Sequence, residues 1–425
     1  MKVLRAIFLF AIISGFPLFA LATDSSSDAL KINDPPVAIK QLAKLTASDG
    51  FALNQFGYST ATSGDIIVVG SMGRAYVFVK PTSGWQDMTQ TAELQAAIPV
   101  DGFGTSVAIS GNIILVGAPS STNPGKVFAY VRPVTGWRNM TETAQLVASD
   151  GVAGDGFGTS LSINDGTAIV GAFQATVNGN VFQGAAYVFA QPKTMHSGMP
   201  VITVIQVAKL TASDSTVDSF FGSGVAICGS TVAVGSYLQG GFAGEAYVFV
   251  EPKTGWADMT ETAQLKPSDA GGDLGLSIAT NGNTVVAAAP GSGQGRKLTG
   301  ADYVFVEPLS GWINMTETAQ LLPSKTPGAI GNSVSLDATG RYISAGSPSG
   351  YGNADDSGQV YLFLKPSAGW QTTAISQKLF SSDGERGDEF GFSTMIGGQT
   401  LVAGAPDATI GQNRAQGAAY VFGNR

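Results

Sequence analysis

Four short apolar words recur along the chain in a fixed order, seven times over. The first is a Phe-Gly pair at the head of an apolar run: Phe56, Phe103, Phe157, Phe221 and Phe390, each followed by Gly, with Leu274-Gly275 and Ile330-Gly331 as weakened copies. The second is an apolar run ending in small residues, as in IILVGAP at 113–119, AIVGAF at 168–173 and LVAGAP at 401–406. The third is an aromatic run, usually A-Y-V-F, centred on Tyr76, Phe128, Tyr187, Tyr247, Tyr303, Tyr361 and Tyr420. The fourth is a Leu-bearing segment at Leu45, Leu94, Leu146, Leu210, Leu265, Leu321 and Leu379. All four read as short strands. In the aromatic run both odd and even positions are apolar, so both faces of that strand must be covered. Sheets stacked around an axis cover both faces of every strand, whereas an open sandwich leaves alternate positions polar. Phe-Gly copies 47 to 64 residues apart have the spacing of propeller blades.

The order of the words predicts how the ring closes. Leu45 precedes the first Phe-Gly pair, while no Leu segment follows the last aromatic strand, which ends at Phe422. The seventh blade therefore lacks an outer strand and the N-terminal side holds a spare one. Ile39 to Leu45 is expected to pair with Ala418 to Phe422, removing an exposed edge. The expected fold is all-β: a seven-bladed β-propeller over 37–425, closed by an N-terminal strand that completes the last blade.

Between first and second strands lie tight turns such as Asn164-Asp165-Gly166 and Asn281-Gly282-Asn283, suited to hairpins that need positive φ. Between third and fourth strands a Gly-Trp turn recurs at Trp85, Trp137, Trp256, Trp312 and Trp370, which are all the tryptophans of the chain. An aromatic tied to a fixed turn reads as packing. Strands alternate in direction, so these two constant turns share one face. The loops of the opposite face vary, as in QATVNGNVFQG at 174–184 and SGYGNADDSG at 349–358, and recognition is expected there.

Composition supports short strands and tight turns: 56 of the 425 residues are Gly and 13% are charged. Residues 1–22 carry Lys2 and Arg5, an apolar core and the small pair Ala20 and Ala22, the pattern of a cleaved secretory signal. Residues 23–36 read as a Ser- and Asp-rich flexible leader. Without the signal 21 basic residues face 31 acidic ones, a balance that argues against nucleic acid and anionic lipid as partners. The expected product is a monomer, secreted or periplasmic or at the cell surface, with no membrane insertion after cleavage. Cys228 stands alone, so no internal disulfide is expected, and it reads as a small hydrophobe.

Taken together, the Phe-Gly pairs, the V-G-A-P turns and the A-Y-V-F strands resemble FG-GAP repeats, the blades of integrin α-subunit propellers and of many exported bacterial proteins. The resemblance spans about 37–425 and implies a seven-bladed propeller, with adhesion or protein interaction as the usual work and hydrolase attachment in some members. Calcium-binding blades of that family carry a D-x-D-x-D-G loop before the V-G-A-P strand. Here every such loop is cut to a tight turn, so no calcium and no cofactor is expected.

Candidate chemistry is sparse. His196 is the single histidine, with no second His or Cys to form a metal site or a Cys-His pair. No G-x-S-x-G motif supports a serine triad. Asp355 with Asp356, and Asp383, Glu385, Asp388 and Glu389, leave a two-carboxylate glycosidase as the rival reading. Arg386-Gly387-Asp388 spells an integrin-recognised tripeptide, but Gly-Asp before the Phe-Gly position also occurs at 154–155 and 272–273, so the repeat accounts for the Gly and the Asp. Asn139 and Asn314 each begin N-M-T, a glycosylation acceptor in a eukaryotic secreted chain. Asp87 and Asp258 stand at equivalent positions, which favours a turn role. The reading is a non-enzymatic scaffold that recognises a protein or glycan through the variable face. Its candidate contacts are Tyr237, Phe242, Tyr351, Asp355, Asp356, Arg386 and Asp388.

Overall fold

The computed structural model describes residues 39–190, 202–294, 297–323, 329–350, 356–372 and 377–424. Within the compact unit Pro36–Arg425 they form seven antiparallel four-stranded sheets arranged as the blades of a propeller. Blade three is representative: Phe157–Asn164, Thr167–Ala172, Ala185–Ala190 and Ala208–Leu210 lie side by side from the axis outward. Blade seven comprises Thr394–Gly397, Thr400–Ala405, Ala418–Gly423 and then Lys40–Thr46, which pairs antiparallel with Ala418–Gly423 through Lys44 opposite Tyr420 and Leu45 opposite Ala419. Among the described residues no helix is long and apolar enough to cross a membrane.

Each repeated word has a packing cause. The Phe of each Phe-Gly pair is buried and meets its own blade's aromatic strand, as Phe157 does with Tyr187 at 5.6 Å between ring centroids and Phe390 with Tyr420 at 5.5 Å. The Gly that follows, at φ 94° in Gly222, presents its carbonyl to the preceding blade. There a Cβ on Gly171 would lie 2.1 Å from the Gly222 oxygen, so the V-G-A glycine has no room for a side chain. Serine hydroxyls add a belt around the axis. Ser59 donates to the Gly104 carbonyl at 2.9 Å, Ser106 to Gly158 at 2.6 Å, Ser160 to Gly222 at 2.9 Å, and Ser393 to Gly57 at 2.8 Å, the last crossing from blade seven to blade one.

The outer rim carries a link that the repeat pattern did not announce. After three of the five Gly-Trp turns a Met-Thr pair runs parallel to the outer strand of the blade before it: Met88–Thr89 on Lys40–Thr46, Met140–Thr141 on Ala92–Gln95, and Met315–Thr316 on Ala263–Lys266, while Met259 after Trp256 makes a single parallel bridge to Leu210. Side chains flanking the pair reinforce it. Asn139 Oδ1 accepts from the Glu93 N–H at 2.9 Å, Asn314 from Gln264 at 2.9 Å, Asp87 from Lys44 at 2.7 Å and Asp258 from Lys209 at 2.7 Å. Glu142, Glu261 and Glu317 accept in the same way from the N–H groups of Ala97, Ser213 and Ser268. The N-M-T asparagines thus bridge neighbouring blades through their carbonyl oxygens. Trp85, Trp137, Trp312 and Trp370 are buried within the interblade clusters, as their tie to a fixed turn led us to expect.

Candidate functional site

The first strands of all seven blades line a central channel of about 330 Å³, walled by small and apolar side chains including Thr60, Ser160, Ser223, Ser277, Ser335 and Met395. On the variable face, the residues that immediately precede the Phe-Gly positions form another repeated set. Six of them share one left-handed conformation: Gln55 (φ 51°), Gly102 (70°), Gly156 (69°), Phe220 (56°), Asp273 (61°) and Glu389 (59°). Two blades use glycine, for which this backbone is free of strain. Four carry side chains in a region that costs an L-residue about 1–2 kcal/mol. A side chain kept there at that cost is a candidate for function.

Phe220 illustrates the geometry. Its neighbour Phe221 turns into the core and is fully buried, while the left-handed turn sends Phe220 to the surface. Its ring is 5.8 Å from Phe173, 5.7 Å from Phe182 in a nearly parallel stack, and 5.4 Å from Tyr237. Backbone bonds fix the strip: Asp218 N–H to the Val181 carbonyl, Phe220 to Phe182 and Phe221 to Gln183. Three loops thereby build one aromatic platform, with Phe182, Val181 and Val217 exposed at its edge. Burial, and then the charge of Asp273, push the Tyr237 phenol up from its ordinary value.

Across the same face, Tyr58 and Phe392 lie 4.9 Å apart, and the Asn332 side-chain amide donates to the Phe392 carbonyl at 2.7 Å. Glu389 is half-buried, and burial together with Asp407 raises its carboxyl. Asp407 accepts from the Gln55 side chain at 3.1 Å.

Of the residues singled out in the sequence, Tyr237 joins the platform. Phe242 is 68% exposed, in a short helical turn, Gln239–Phe242, interrupted by two glycines at positive φ. Asp356 and Arg386 meet in an exposed ion pair at 3.7 Å, a contact worth little in water. Asp388 is 5% exposed, and its carboxylate accepts from the Glu385 N–H at 2.8 Å. Asp155 makes the same bond to Val152 in blade three, so Asp388 pins its own loop. Tyr351, Asp355 and His196 fall outside the described residues.

Other acids are structural. Asp383 accepts from Tyr420 at 2.8 Å and from Lys44 at 2.5 Å. The same latch joins Asp150 to Tyr187 at 2.9 Å and to Lys209 at 2.5 Å. Asn164 accepts from the Gly229 N–H at 2.9 Å, which ties blade three to blade four, and its turn closes through Asp165 (φ 45°) and Gly166 (φ 84°). Cys228 is half-buried, and burial raises its thiol.

Phe173, Phe182 and Phe220 went unremarked in the sequence. The doubled Phe220-Phe221 was their one visible signal, since only one member of the pair can occupy the buried position. A family model described as FG-GAP repeat matches residues 39–83, 92–131, 140–189, 204–249 and 375–422. No curated protein matches the chain.

Proposed function

Because the chain belongs to the FG-GAP repeat family, we propose that it is an exported, non-enzymatic binding scaffold. It engages a protein or glycan partner through the loops of the variable face. The observation that carries this reading is the aromatic platform of Phe173, Phe182, Phe220 and Tyr237, assembled by loops that do not repeat and partly open to solvent. The repeated residues are spent on packing and interblade bonds, so recognition falls to the loops. Rings held rigidly by their neighbours lose little entropy on binding, which makes them effective contacts. Export rests on the signal-like first 22 residues.

A second reading has one supporting observation, the half-buried Glu389 with its carboxyl raised beside Asp407. A raised acid next to a second carboxylate is the arrangement of a general-acid pair. Both readings are separated by measuring turnover of a panel of aryl glycosides alongside retention on glycan and peptide arrays. A scaffold gives array binding and no turnover. Turnover that disappears in Glu389→Gln while the fold persists would replace the scaffold by a hydrolase.

A further inference from the structure

Asp302 breaks the A-Y-V-F word. Its counterparts in the other six blades are Ala75, Val127, Ala186, Ala246, Val360 and Ala419. It is fully buried, and neither carboxylate oxygen has a hydrogen-bond partner among the described residues. It pairs across the sheet with Ala288 and Leu321 and lies two residues before Val304. Ala288, Leu321 and Val304 all pack in the cluster that joins blade five to blade six, so strand alternation turns Asp302 into that seam.

Blade six answers with polar groups at the same end of the seam. Ser347 and Gln359 are register partners, both fully buried, and stand two residues from Ala345 and Tyr361, which belong to the same cluster. Among the described residues Ser347 Oγ and Gln359 Oε1 have no hydrogen-bond partner either, while Gln359 Nε2 donates to the Tyr361 hydroxyl at 2.7 Å. A buried polar atom left unpaired costs about 1–3 kcal/mol, and more when charged. Asp302 therefore brings two unpaired carboxylate oxygens to a seam whose other side buries Ser347 and Gln359, and no donor among the described residues reaches the carboxylate. One proton on Asp302 removes the buried charge, the costliest part of that deficit.

We propose that Asp302 is held as the neutral acid in the folded ring, and that the seam between blades five and six is a pH-sensitive joint which weakens when this acid ionises. Burial agrees in direction, raising the carboxyl well above its ordinary value. Its cross-strand neighbours in blade five are the aliphatic Ala288 and Leu321, and the blade-six side of the same seam carries Ser347, Gln359 and Tyr361. Lys378 lies beyond them, 5.5 Å from the Tyr361 ring, and Asp269 is held on the opposite face of blade five by Tyr303. Lys325 and Asp355 adjoin in sequence but fall outside the described residues. A folded-state value raised above the unfolded one means that the native protein binds the extra proton. Stability is then lost as pH rises from about 4 through the folded value.

The test is the protonation state itself. Infrared difference spectra of the whole protein near neutral pH, against Asp302→Asn, should contain the carbonyl stretch of a protonated carboxylic acid, lost on moving to alkaline pH. In urea titrations at pH 5 and pH 9, Asp302→Asn and Asp302→Ala should remove part of the alkaline loss seen in the parent. Should Asp302→Ala fail to fold, the parent band and the Asn variant still decide. A parent spectrum without that band, or variants that shift stability equally at both pH values, overturns the proposal. It is equally overturned if added potassium or calcium stabilises the parent and leaves Asp302→Ala unchanged, since a cation would then be meeting the charge.

Discussion

If Lys40–Thr46 is a true fourth strand of blade seven, its leucine should matter as much as the leucine of an interior blade. Leu45 is fully buried opposite Ala419 and packs with Phe56, Val69, Tyr76, Val402 and Val421. Leu265 is its repeat counterpart in blade four, fully buried opposite Ala246. Leu→Ala at a buried site removes the transfer energy of the lost methyl groups and leaves a cavity, together about 2–5 kcal/mol. Both neighbourhoods are walled by β-strands that cannot easily collapse into the gap, so about 3 kcal/mol is expected for each. The assay is urea unfolding followed by tryptophan fluorescence and circular dichroism, with the midpoint shift read at constant slope. Equal losses support closure by the N-terminal strand. A loss near 3 kcal/mol for Leu265→Ala beside one below about 1 kcal/mol for Leu45→Ala would refute it, because the first strand would then be a loosely attached flap.

Other consequences follow from the same contacts. Tyr187→Phe removes one hydrogen bond to Asp150 and should cost about 1 kcal/mol by the same titration. Burial alone would raise the carboxyls of Asp150 and Asp383, yet hydrogen bonds from Lys209 and Tyr187, and from Lys44 and Tyr420, hold both below the ordinary range. Their stabilisation is therefore complete above about pH 4 and is lost as pH falls through the lowered values; Lys209→Met should flatten that acid limb in thermal melts between about pH 5 and pH 2. Gly235→Ala would place a methyl group 1.9 Å from the Gly275 carbonyl, so a loss of at least about 2 kcal/mol is expected, and a neutral result would show that the seam is looser than described. Asp388→Glu should leave cell attachment unchanged, since the carboxylate it replaces is bonded within its own loop.

What could be read from the sequence divides along physical lines. Blade number, strand order and the buried tyrosines were legible, because period-two patterning and seven repetitions report local structure directly. The parallel Met-Thr strands were not, although N-M-T stood in plain view, because its partner is the outer strand of the blade before. Phe220 was missed for a different reason. The Phe-Gly repeat assigns Phe221 to the core, but where the ring of Phe220 then goes depends on a left-handed φ that its residue type does not announce. Asp388 looked like a presented carboxylate, and only its bond to Glu385 N–H turned it into a loop pin.

The central claim is that recognition belongs to the variable face and the constant face is scaffold. The most direct test probes one glycan and peptide array with three proteins: the parent, a Phe182→Ala/Phe220→Leu variant of the platform, and a Val134→Ser/Leu309→Ser variant that removes exposed apolar residues from the Gly-Trp turns. Loss of the parent's array signals in the platform variant, with the turn variant indistinguishable from the parent and all three equally folded, is the predicted result. Signals that survive in the platform variant and vanish in the turn variant would contradict the account.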